Sequence, residues 1–105
     1  MKEVTVQDLK KMMDAGENFQ LIDVREAHEH QFTNIGGELI PMGSIMNETD
    51  KIDRNLKVVI YCRSGNRSAN VIKALEQKLG FNNLYNLKGG VLEWAEKIDS
   101  NIKKY

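Results

Sequence analysis

The chain holds one cysteine, Cys62, in the stretch VVIYCRSGNRSANVIKAL. It closes an apolar run and is followed by Arg63, Ser64, Gly65, Asn66, Arg67 and Ser68. A free thiol is a poor nucleophile at neutral pH, because at an ordinary pKa of about 8.5 only a few per cent is thiolate. Each unit of lowering requires about 1.4 kcal/mol in favour of the anion. A partly buried helix N-terminus supplies up to ~2 kcal/mol of this, and nearby guanidinium groups add to it. Gly65 gives the backbone the freedom to turn, so that successive N–H groups converge into an anion nest where a helix starts near Ser68. Cys62 is therefore expected to be an ionised nucleophile. The plain alternative is a small buried hydrophobe at a strand-to-helix junction.

Such a nucleophile needs a frame. TVQDLKKMMDAG predicts a helix capped by Thr5 with Asp8 three residues on, striped by Val6, Leu9, Met12 and Met13 and stopped at Gly16. FQLIDV, residues 19–24, reads as a buried strand and REAHEHQF as one or two helical turns. NIGGELIPMG turns at Gly36 and Gly37 and carries a strand at Leu39 and Ile40, and SIMNETDKI reads as a short helix. KVVIYC is the clearest strand. SANVIKALEQKLG is the clearest helix, with Val71, Ala74, Leu75 and Leu79 on one face and Gly80 at its end. LYNL is a last strand, and GGVLEWAEKI a last helix with Val91, Trp94, Ala95 and Ile98 inward. Helices alternating with continuously apolar strands predict an α/β fold whose parallel sheet is covered on both faces. In open sheets of this kind, ligands bind beyond the carboxyl ends of the strands, where Cys62 lies.

The bulk composition narrows the partners. At 105 residues the chain reads as one domain, 1–105. Fifteen basic residues balance fifteen acidic ones, so no global field draws it to nucleic acid or an anionic membrane. No signal-peptide core or spanning apolar run is found, and the chain is read as cytoplasmic. A lone cysteine forms no internal disulfide. His28 and His30, two apart, share no helical face and are read as solvated, with no metal site expected. Met42 and Met46 are assigned to the core, and Lys103, Lys104 and Tyr105 to a frayed polar tail.

Several segments together resemble the rhodanese family. CRSGNRSA resembles its active-site loop, LIDVRE its first signature, NIGGELIPM its turn-and-strand segment and LKGGVLEWA its C-terminal signature. The resemblance implies a parallel five-stranded sheet flanked by helices, and sulfurtransferase chemistry without metal or organic cofactor. Cys62 would take the outer sulfur of a donor such as thiosulfate and pass it to cyanide or a thiol, with a sulfur-accepting protein as a further partner. Backbone N–H groups from Arg63 through Ser68, including Ser64, Gly65 and Asn66, would hold the persulfide. Arg63 and Arg67 would bind the donor's sulfonate, and Ser68 would cap the helix and hydrogen-bond a loop sulfur. Asp23 and Arg25 match the first signature and are expected to form internal polar contacts.

Cys62 through Arg67 is six residues, the length that family members use for sulfur transfer. The related arsenate reductases and phosphatases carry one residue more, and phosphoryl transfer is disfavoured. A sulfur-carrier module loaded by a partner protein is the principal alternative to turnover. Asn34 and Glu38 depart from the family's usual turn.

Overall fold

The computed structural model describes all residues from Met1 to Tyr105. Thr5 accepts from the Asp8 N–H at 3.0 Å, and the Asp8 carboxylate takes the Thr5 N–H at 3.2 Å. This reciprocal cap starts the first helix, α1, Val6–Asp14. The other helices are α2 (Ala27–Phe32), α3 (Asn66–Leu79) and α4 (Gly90–Lys97). The strands are β1 (Glu3–Val4), β2 (Gln20–Asp23), β3 (Glu38–Leu39), β4 (Val58–Tyr61) and β5 (Leu84–Leu87). They form one parallel sheet in the order β1-β5-β4-β2-β3. The fold is the α/β architecture that the alternating pattern requires.

Strand β4 lies at the centre, and all four of its residues are buried. Val58 and Ile60 point, with Cys62, into a core shared with Val71, Ile72 and Leu75 of α3. Val59 and Tyr61 point the other way, toward Leu9 and Met12 of α1 and Val91 and Trp94 of α4. Helices on both faces explain why the strand is apolar throughout rather than alternating.

Several details differ from the sequence-based expectations. Helix α3 begins at Asn66, two residues before Ser68, because Gly65 in the left-handed region, at φ 105°, makes the turn without a side-chain cap. Its buried face is Ser68, Val71, Ile72 and Leu75. Ile72, the larger apolar group, takes the place assigned to Ala74, and Leu79 is exposed. SIMNETDKI forms two separate 3-10 turns, Ile45–Asn47 and Thr49–Lys51. Met42 and Met46 are exposed, since Ile45 between them fills the core position. Strand β1 is only two residues long, too short for any pattern to reveal. In the divergent turn, Asn34 Oδ1 accepts the Gly36 N–H at 2.9 Å, so asparagine itself shapes the bend.

Candidate active site

Parallel pairing of β4 with β2 and β5 delivers Cys62 to the carboxyl end of the sheet. The backbone then folds around its sulfur. The Gly65 N–H donates to Cys62 Sγ at 3.1 Å and the Ser68 N–H at 3.4 Å, with Ser68 Oγ 3.3 Å away. These groups close around the sulfur at the start of α3. The opposite side of the loop is held by α4. Val91 and Leu92 N–H groups bind the carbonyls of Cys62 and Arg63 at 3.0 and 3.1 Å. Gly90 makes this approach possible, because a Cβ there would stand 2.5 Å from both carbonyl oxygens. The glycines before α4 therefore start a helix and also bring backbone against the loop.

Loop residues divide by position. Cys62, Gly65 and Ser68 are buried and converge at the sulfur. Ser64 and Asn66 are exposed, and Arg63 and Arg67 are half-buried. Of the N–H groups from Arg63 to Ser68, only those of Gly65 and Ser68 bond the sulfur.

A buried asparagine braces this arrangement. Asn86, on β5, donates through Nδ2 to the Gly65 carbonyl at 3.1 Å. That contact turns its Oδ1 toward Ser68, whose hydroxyl donates to it. Asn86 thus fixes both the turn and the Ser68 side chain. The only hint in the sequence is a polar residue inside the apolar strand LYNL.

The two loop arginines are not bare charges. Arg67 grips Glu29 of α2 through both carboxylate oxygens, at 2.7 and 2.9 Å. Hydrogen bonds from Arg67, and then from the Glu26 backbone and Tyr105, outweigh burial and lower the Glu29 carboxyl to about 2. Arg63 donates through Nε and an Nη to the Tyr105 carbonyl, with its guanidinium 5.2 Å from that ring's centre. The Tyr105 hydroxyl accepts from Arg25 and donates to Glu29, each at 2.8 Å. Arg25 in turn binds Asp23 at 2.8–3.1 Å, and neither side chain is exposed, which agrees with the internal contacts expected of them. His30 Nδ1 stands 2.8 Å from Asp23, so His30 joins this network rather than being simply solvated, while His28 is exposed. Tyr105 is likewise packed, not frayed: Ile102 and Tyr105 rest on the α1–α4 core, and the Lys103 N–H donates to Thr33 Oγ1. Glu29, Asn86 and Tyr105 join the site through long-range contacts that no motif marks.

Fold and loop define the class: an α/β protein with a buried cysteine cradled by backbone N–H groups at the end of its central parallel strand. The model of the Rhodanese-like domain matches residues 5–97, and the chain belongs to that family. It is 36% identical over 100 residues to "Putative sulfurtransferase YtwF" of Bacillus subtilis, covering 90% of each chain. It is 33% identical to "Probable adenylyltransferase/sulfurtransferase MoeZ" of Mycobacterium tuberculosis, covering 97% of this chain but only 26% of that one. The chain thus spans about a quarter of the length of such relatives. The crystal structure of a rhodanese-like domain protein from Staphylococcus aureus superposes with a TM-score of 0.83 at 29% identity, covering 100% and 99% of the two chains. No helix is long and apolar enough to cross a membrane.

Proposed function

We propose that the protein is a sulfurtransferase that carries sulfane sulfur on Cys62. The Cys62 thiolate attacks the outer sulfur of a donor such as thiosulfate. A Cys62–sulfur bond forms, the donor's S–S bond breaks, and its electron pair leaves on sulfite. The persulfide anion stays in the cradle until a thiolate or cyanide attacks its outer sulfur. That second step returns the electron pair to Cys62 and regenerates the thiolate.

The observation that carries this reading is the pair of N–H groups from Gly65 and Ser68 aimed at Cys62 Sγ, at the start of α3. Preset donors stabilise charge without reorganising at the moment of reaction. The loop of six residues from Cys62 to Arg67 supports sulfur over phosphoryl transfer. Arg67 is held by the Glu29 carboxylate while Arg63 meets no Asp or Glu side chain, which favours Arg63 as the guanidinium for a donor's sulfonate once Tyr105 releases it. Similarity to YtwF over 90% of each chain supports the sulfur-transfer reading. Steady-state turnover with thiosulfate and cyanide tests the reading. Thiocyanate release lost in Cys62→Ser supports it. Rapid loading from a protein persulfide, with negligible thiosulfate turnover, would instead favour a carrier.

A further inference from the structure

Cys62 is only 1% exposed, so a donor cannot reach its sulfur without a movement. Tyr105 ties together the two arms that flank it. Its carbonyl takes the Nε and Nη donors of Arg63, next to the cysteine. Its hydroxyl donates to Glu29, which holds Arg67 at the far end of the loop, and accepts from Arg25. Its ring meets Phe32 edge-on, with centres 5.9 Å apart, and stands 5.2 Å from the Arg63 guanidinium. Burial raises the phenol above its ordinary value, so the hydroxyl keeps the proton that it gives to Glu29.

We infer that Tyr105 is a gate over Cys62, whose carbonyl occupies the Arg63 edge that an incoming oxyanion must take. The Nε–Nη edge of an arginine presents two parallel donors, suited to two oxygens of a sulfonate or carboxylate. With Tyr105 in place, that edge is filled from within the chain. The fastening is of a kind that opens: Asp99–Tyr105 contains no helix or strand, Lys103 and Lys104 are exposed, and Tyr105 is half-buried. Irregular segments with exposed residues lie toward the low-stability end of local opening. Release of Tyr105 would free Arg63 and uncover the loop between Arg63 and Glu29. The ligand class, an oxyanion-bearing sulfur donor, rests on the sulfurtransferase reading; the gate does not.

Alkylation of Cys62 by iodoacetamide tests the gate, because this neutral reagent reports access and needs neither Arg63 nor sulfur transfer. Tyr105→Ala is expected to speed alkylation about tenfold, as the loss of hydrogen bonds worth ~1.4 kcal/mol implies. Tyr105→Phe keeps the ring and its packing, so it folds with the core intact and should give a smaller rise. The KM for thiosulfate should fall in the same order. Equal or slower alkylation in both variants would overturn the gate. Faster alkylation in a protein that takes no sulfur from any donor would retain the gate and remove the sulfurtransferase reading.

Discussion

Arg67 and Glu29, 38 residues apart in sequence, meet through two parallel hydrogen bonds that lock the cysteine loop to α2. Paired guanidinium and carboxylate groups of this geometry are among the stronger polar contacts, and this one is largely shielded from water. Folding lowers the Glu29 carboxyl from 4.5 to about 2. A depressed acid stabilises the fold above its unfolded value and loses that contribution as pH falls through its folded value. Urea unfolding should therefore show roughly 2–3 kcal/mol disappearing between about pH 4.5 and pH 2. In Glu29→Gln that part of the stability curve should flatten. Parallel curves for the two proteins would contradict the pairing.

Asn86 is the brace behind the sulfur. Asn86→Leu keeps the branched shape but removes the amide donor to the Gly65 carbonyl and the acceptor for the Ser68 hydroxyl. The Gly65 carbonyl keeps the Ala69 N–H and the Ser68 hydroxyl still reaches that carbonyl, so the loss of two buried hydrogen bonds should lower stability by about 1–3 kcal/mol. Sulfur turnover should drop further than stability does, because Ser68 is no longer held beside Sγ. Chemical denaturation and kinetics on the same sample separate the two effects.

Gly90 tests the other side of the loop. In Gly90→Ala the added methyl would meet the Cys62 and Arg63 carbonyls, at a backbone φ of 60° that disfavours a side chain. A loss of about 2 kcal/mol or more is expected, together with slower sulfur loading as the loop is pushed off α4. Gly43, with a φ outside that region and open space around it, should accept alanine with little change in either measurement.

Arg63 should act through donor binding. It meets no Asp or Glu side chain, whereas Arg67 is held by Glu29. Arg63→Ala should raise the KM for thiosulfate about tenfold, the effect of one charged hydrogen bond worth ~1.5 kcal/mol, and leave the unfolding midpoint nearly unchanged. A KM as low as that of the wild type would remove the assigned role.

Much of the fold and of the cysteine loop is legible in the sequence. Hydrophobic runs and glycine stops located β2, β4, β5, α1 and α3, and the Cys62 loop stood out because charge, glycine and a strand end coincided there. What stayed hidden depends on long-range geometry. Glu29 looks like any helical acid until α2 lies against Arg67. Asn86 is one polar letter in a strand, and its meaning comes from register beside β4. Tyr105 sits among lysines, and only the packing of Ile102 onto the α1–α4 core carries it to the loop. Local pattern speaks to elements; contacts across tens of residues do not show in it.

A sulfurtransferase of this kind must accept and hold one sulfane sulfur on Cys62. Intact-protein mass spectrometry after incubation with thiosulfate, followed by cyanide, measures this directly. The expected result is a gain of one sulfur atom located on Cys62, removed by cyanide and absent in Cys62→Ser. An unchanged mass with thiosulfate, with small persulfides and with protein persulfides alike, in a protein whose Cys62 still alkylates, would contradict it.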